Sequence, residues 1–259
     1  MTAYDDISYS VENGRARIAV NRPDKLNAYR NETADQLRDA IQTAGKDASV
    51  RAILLTGEGR AFGAGYDLAT VDPNETPALD DVLQRHFNPL VIAMRQSRLP
   101  IVAAVNGPCA GAAVGIALAA DIVIAARSAY FYEPFVGIAL VPDAGNTLFL
   151  SRMLGHVRAS GMMLLGNRIP AEKALAWGLL WDVVDDADLV PNRRGNLRPA
   201  CKARPGRPCR HKAPDRSRFR VRHRRAAGAR TRPAGRGRTH PGNEGTDRRL
   251  LRKAEGLSG

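Results

Sequence analysis

Ile7, Tyr9 and Val11, then Ala16, Ile18 and Val20, alternate with other residues on either side of Asn13-Gly14. Alternation with a period of two around an Asn-Gly pair predicts a β-hairpin over 7–20. Asn21-Arg22-Pro23-Asp24 reads as a loop, and Asn31 or Thr33 opens an amphipathic helix reaching about Ala44. Arg51–Thr56 (RAILLT) has the composition of a short buried strand, and the Gly-rich stretch Gly57–Gly65 follows it as a loop. Leu83, Phe87, Leu90 and Met94 share one face of a helix over Asp80–Gln96, which Pro100 stops. Beyond it come a strand at Ile101–Val105, a helix at Ala112–Ala119 and a strand at Ile122–Ala125. Thr147–Leu154 and Ala171–Gly178 read as further helices. Strands alternating with helices predict an α/β core with parallel pairing.

The pattern stops at Asn192. Beyond it Leu197, Phe219, Val221, Leu250, Leu251 and Leu257 are the large apolar residues, and neither period survives. Such a composition buries too little surface to offset the entropy of ordering. Charge divides at the same place: residues 1–191 hold 17 Lys and Arg against 22 Asp and Glu, and residues 192–259 hold 22 against 4. The formal net charge of +13 therefore belongs to the tail. The domain reading is a core over 1–190 and a basic, low-complexity, disordered segment over 191–259.

Cys109, Cys201 and Cys209 are an odd set without framework spacing, so a reduced, cytoplasmic compartment is expected. The opening MTAYDDISYS has neither the basic nor the apolar region of a secretory signal. The apolar run Cys109–Ala126 approaches the length of a membrane span, but it is rich in Ala and Gly and contains Asp121. It is expected to be a buried helix running into a buried strand.

Two Gly-rich turns each follow a buried strand: Arg60–Gly65 after RAILLT, and Asn106–Ala113 after IVAAV. Small residues let a ligand approach the backbone, where free N–H groups stabilise a developing oxyanion by roughly 3–4 kcal/mol per donor. The dinucleotide fingerprint is not met, since Phe62 stands where Gly57-Glu58-Gly59 would need a third glycine. A phosphate-binding G-x-K-[ST] loop and a G-x-S-x-G elbow are absent too.

Four phrases, NRPDKLNA (21–28), AFGAGYDL (61–68), PIVAAVNGPCAGA (100–112) and GIALVPDAGNT (137–147), occur in this order and spacing. Together they resemble the crotonase family, the enoyl-CoA hydratases and isomerases, over about residues 5–190. The resemblance implies an α/β, crotonase-like ββα superhelix core with the irregular basic C-terminal tail appended. It implies that the peptide N–H groups of Gly63 and Ala112 polarise an acyl-CoA thioester oxygen. Lys25, Leu26 and Ala28 would line the path of coenzyme A, with further substrate contacts at Ala61, Gly65, Tyr66, Asp67, Leu68, Gly111 and Phe135. No separate cofactor is implied, since coenzyme A arrives as part of the thioester, and no metal is expected. A homotrimer or hexamer is implied, with no membrane or nucleic-acid partner.

The family's hydratases use two glutamates, which fall here at Gly115 and Phe135; neither residue transfers a proton. Asp143, in LVPDAG, resembles the carboxylate of enoyl-CoA isomerases and of ring-opening isomerases of phenylacetate breakdown. One carboxylate suffices to move a proton between carbons, because the group that removes it also returns it. Isomerisation is therefore the expected reaction, and hydration the alternative. Asp143 also fits as the N-cap of the helix that follows. Glu133 is expected to be structural or on the surface, Asp67 to hold its loop, Tyr66 to face the acyl group, His86 to be packed, and Cys109 to be a small buried filler.

The tail has a different explanation from function. Read one base onward, codons for Arg248–Leu257 can encode AAFFEKRKAF, which resembles the closing helix of the family. Residues from about 191 are thus expected to be an out-of-frame translation of the family's C-terminus, which the nucleotide sequence around codon 190 decides. The family's C-terminal helices cover the acyl pocket, so an inactive pseudoenzyme is one further alternative. A nucleic-acid binder using the tail is another, with salt-sensitive binding lost on deleting 192–259 as its signature.

Overall fold

In the computed structural model, residues 4–70 and 79–189 are described; the whole basic tail lies outside them. Ile7–Glu12 (β1) and Arg15–Val20 (β2) form the expected hairpin. Its turn residues Asn13 and Gly14 both have positive φ, 51° and 77°, as a two-residue turn between right-twisted strands requires. The remaining strands are Ala52–Gly57 (β3), Ile101–Val105 (β4), Pro108–Ala110 (β5), Ile122–Ala126 (β6), Tyr130–Tyr132 (β7), Ile169–Pro170 (β8) and Asp182–Val184 (β9). One sheet has the order β1-β2-β3-β4-β6-β9, antiparallel only between β1 and β2. Its central strands AILLTG and IVAAV are buried at every position, the continuous apolar signature of a parallel sheet covered on both faces.

Asn31–Lys46 (α1) begins where Thr33 accepts the Arg30 N–H at 3.0 Å, so the two candidate start residues belong to one cap. The helix expected over 80–96 is divided into Leu79–Val82 (α2), a π turn at Leu83–Phe87 and Asn88–Gln96 (α3). Proline causes the π turn. Pro89 has no N–H for the carbonyl of Arg85; Asn88 donates instead to Leu83, and the Arg38 guanidinium covers the Arg85 carbonyl at 3.4 Å. Phe87, Leu90 and Met94 nevertheless face the core as their spacing predicts.

Ala112–Leu118 (α4) is buried throughout and leads through Asp121 into β6. The apolar run over 109–126 is thus a buried helix followed by a strand, as expected. Among the described residues no helix is long and apolar enough to cross a membrane. Asn146–Leu165 (α5) extends past the expected end at Leu154 because a second helical stretch follows the break at Gly155, φ 72°. Ala171–Ala176 (α6) completes the helices. The pattern of apolar residues missed the small sheet β5-β7-β8, whose strands of two or three residues are too short to show a period. That sheet places β7 beside the turn that opens α4.

Candidate active site

The loops after β3 and β4 are bound to each other before any substrate arrives. Asn27 is wholly buried and donates to the carbonyls of Glu58 (2.8 Å) and Ala61 (2.6 Å), which ties the Lys25–Ala28 segment to the first loop. Asn106 reaches from the second loop to the Gly59 carbonyl at 2.9 Å. Gly63 then forms a parallel bridge with Cys109: its N–H donates to Pro108 at 3.1 Å and its carbonyl accepts from Ala110 at 2.9 Å. The Gly63 amide is therefore committed to the backbone, which corrects its expected role as an oxyanion donor. Its small size still matters, since a Cβ there would lie 2.8 Å from the Tyr29 hydroxyl oxygen.

The loops also meet at Gly65 and Gly111, both at positive φ (90° and 55°). A Cβ on Gly111 would sit 3.6 Å from the Gly65 Cα and 3.8 Å from the ring of Phe135. Ala112 follows as the first residue of α4, where the helix itself offers its N–H no partner. The Ala112 amide thus follows directly on Gly111, the residue that lies against Gly65 and the Phe135 ring.

Asp143 is brought to the same turn by a strained loop. Ala139, Ala144 and Gly145 all have positive φ (56°, 47° and 86°), a conformation that costs alanine energy. Asn146 holds the loop in place: its N–H donates to the Asp143 carbonyl at 2.8 Å, and its Nδ2 to Gly111 at 3.0 Å. Gly115, one turn into α4, makes the approach possible, because a Cβ there would lie 2.3 Å from the Ala144 carbonyl oxygen. The position at which the family's hydratases carry their first glutamate is here filled by the loop that carries Asp143.

Asp143 is not the N-cap of α5. Gly145 occupies that place with no side-chain cap, and Asp143 Oδ1 is buried without a hydrogen-bond partner. Burial pushes its carboxyl from 3.8 up to about 6. Glu133 corrects the expectation more strongly. It is fully buried, neither carboxyl oxygen has a partner, and burial followed by the charge of Asp143 pushes it from 4.5 up to about 9. Phe131 and Phe135, two positions either side, are buried as well. β7 ends at Tyr132 and Pro134 turns the chain into the 3-10 turn Phe135–Ile138, so strand alternation alone does not give the direction of Glu133.

The other candidate residues have varied fates. Ala28 and Ala61 are buried against the first loop, Leu26 is half-buried in a left-handed conformation, and Lys25 is exposed. Asp67 holds its loop as expected, accepting from Arg22 at 2.8 Å and from the Ala69 N–H at 3.3 Å. Tyr66 stacks edge-on against Phe87 with ring centroids 5.8 Å apart, and its hydroxyl reaches Asn31 at 3.3 Å. Leu68 is 54% exposed, away from any packed site. His86 bonds Asp35 at 2.8 Å on the α1 side, which agrees with a packing role. Cys109 is buried, and burial followed by the charge of Glu133 pushes its thiol up, as suits an inert filler. A cavity of about 530 Å³ lies elsewhere, between Glu58–Arg60, Asn106 and Asp186–Leu189; neither Glu133 nor Asp143 lines it.

A family model described as enoyl-CoA hydratase/isomerase matches residues 10–205. The chain belongs to this family. Like its relatives it is a crotonase-fold enzyme. It is 44% identical over 183 residues, 70% of each chain, to 1,2-epoxyphenylacetyl-CoA isomerase of Escherichia coli (strain K12). Identity to trans-2-decenoyl-[acyl-carrier-protein] isomerase of Streptococcus mutans is 33% over 190 residues, 72% of each chain. Among solved structures, an enoyl-CoA hydratase from Mycobacterium avium subsp. paratuberculosis K-10 superposes with a TM-score of 0.65 at 33% identity, covering 72% of this chain and 71% of that one.

Proposed function

We propose that this member of the enoyl-CoA hydratase/isomerase family is an acyl-CoA isomerase that moves a proton with Asp143. The observation that carries the reading is a half-buried carboxylate with an unpartnered oxygen, on a loop that Asn146 ties to Gly111 at the opening of α4. A carboxyl poised near pH 6 is ionised at neutral pH and still basic enough to take a proton from carbon. In a 3-enoyl thioester Asp143 removes the proton from C2, and the electron pair moves onto the thioester oxygen. The Ala112 N–H, which its helix leaves without a partner, stabilises that enolate. The carbonyl re-forms as the double bond shifts to C2–C3, and the same carboxyl returns the proton at C4. Phe135, against Gly111, presents an apolar wall where the family's hydratases hold their second glutamate.

Hydration of a 2-enoyl thioester is the second reading, favoured by the presence of Glu133 as another carboxyl near Asp143. The two separate in parallel assays of 3-enoyl-CoA isomerisation and crotonyl-CoA hydration. Isomerisation is expected to dominate and to fall about 10²–10⁴-fold in Asp143→Asn. Fast hydration that persists in that variant overturns the reading.

Coenzyme A is proposed to enter as part of the substrate, past Lys25, Leu26 and Ala28. A homotrimer or hexamer is proposed as well. Val141, Val157, Leu165 and Trp181 are 80%, 82%, 71% and 77% exposed, more apolar surface than a lone subunit of a soluble protein ordinarily shows. Light scattering on the purified chain tests the assembly, and a monomer at micromolar concentration rejects it.

A further inference from the structure

Glu133 has no place in a one-carboxylate isomerisation, yet the fold buries it at the centre of the site. It directly follows β7, whose last carbonyl, on Tyr132, accepts the Gly111 N–H at 2.9 Å. Glu133 is therefore one residue from the contact that fixes the opening of α4. Asn146 and Asp143 stand at the same turn, through the Asn146 bonds to Gly111 and to the Asp143 backbone. Both oxygens of Glu133, Oδ1 of Asp143 and Oδ1 of Asn146 are buried without a hydrogen-bond partner. Both acids thus keep buried oxygens that no protein donor satisfies. No ion pair of Glu133 occurs among the described residues, and the titratable groups that face it are Asp143 and Cys109, the latter beside buried Tyr29. Two carboxylates in such a space do not both ionise. One of the two acids therefore keeps its proton.

We propose that Glu133, fully buried without an ion pair and held in its acid form, is a positioning residue for Asp143: by keeping its proton it withholds a second charge from the site, so that Asp143 alone carries the charge and works as the base. This rests on the reading of Asp143 as the base. The pair then holds one negative charge from about pH 6, where Asp143 ionises, to about pH 9, where Glu133 follows. Above that, a second buried charge opposes the enolate and the rate falls.

Infrared titration of the full chain tests this without relying on turnover. The wild-type protein is expected to show a protonated-carboxyl band at pH 7.5 that disappears with a midpoint near 9 and is missing in Glu133→Gln. In Asp143→Asn the band's midpoint is expected to fall, because the neighbouring charge is gone. In the pH profile of kcat/KM, Glu133→Gln is expected to remove the alkaline limb. Glu133→Leu, with neither proton nor acceptor, is expected to lower kcat/KM about 10–100-fold at pH 7.5, and Glu133→Gln to restore most of it. Absence of the band at pH 7.5 overturns the proposal, as does its persistence in Glu133→Gln or an unchanged midpoint in Asp143→Asn. Should Glu133→Gln not fold, the wild-type and Asp143→Asn midpoints decide. If Asp143→Asn still isomerises, the functional reading fails, while the band continues to report on Glu133 alone.

Discussion

Two buried acid clusters stand at the openings of two helices, and they are solvated in opposite ways. At the start of α1, Asp6 accepts from Arg30 at 2.6 and 3.1 Å and from the Thr33 hydroxyl, with Arg22 close by at 3.8 Å. Burial by itself would raise its pKa, but the bonds from Arg30 and Thr33 and the charges of Arg30 and Arg22 outweigh it, and the carboxyl is held below its ordinary value. At the start of α4, Glu133 and Asp143 have burial without cations, and both are pushed up. Where the acid is fully paired, it locks β1 to α1 and does no chemistry. Where the acids are left without cations, as on the strained loop of Asp143, the raised pKa is what the proposed proton transfer would use.

The largest expected effects come from exchanging the acids for amides in the two places. Asp143→Asn is expected to lower isomerase kcat about 10²–10⁴-fold while leaving the melting temperature unchanged or raised. Asp6→Asn is expected to do the reverse, costing about 1–3 kcal/mol in denaturant unfolding because it weakens the charge-assisted bonds from Arg30 and Thr33. Equal stability losses in the two variants would break the comparison.

Gly115→Ala comes next. Its Cβ meets the Ala144 carbonyl at 2.3 Å, so the Asp143 loop must move, at about 1–3 kcal/mol by thermal unfolding and with a loss of activity of at least about tenfold. An unchanged rate would show that Asp143 does not depend on this approach.

The pH dependence of stability should also separate the clusters. Glu133 has a raised folded-state pKa, so its contribution is fully present below pH 4.5 and is lost as pH rises towards 9. Glu133→Gln is therefore expected to gain at least about 2 °C in melting temperature over wild type by pH 9, and less at pH 5. Asp6 has a lowered pKa, so its contribution is present above the unfolded value of 3.8 and is lost as pH falls. The smallest effect is expected at Ala144, φ 47°. Ala144→Gly is expected to relieve strain by about 0.5–1 kcal/mol in unfolding, with at most a few-fold fall in kcat from a looser loop.

The hairpin, the parallel strands and the amphipathic face of Leu83, Phe87, Leu90 and Met94 were legible because local period and burial coincide there. Asp143 was legible as a residue through the phrase around it, and its two candidate roles are separated by the placement of Gly145 at the cap of α5. The oxyanion side was only half legible. Ala112 keeps an N–H that its helix cannot use, whereas Gly63 resembles a donor in sequence and is bonded to Pro108 in space. Of the two roles expected for Glu133, structural or on the surface, its full burial excludes the second.

The amino-acid sequence by itself thus determined the hairpin, the strands β3, β4 and β6 with the helices between them, the family and the one acid in LVPDAG, because each depends on residues near one another along the chain. Tertiary structure alone decided which amides are already bonded, that Gly115 makes room for the Asp143 loop, and that a second carboxyl shares the dry turn at Gly111. Those outcomes depend on hydrogen-bond partners and solvent exclusion contributed by segments far apart in sequence. A carboxyl's charge state follows the water and donors around it more than its identity.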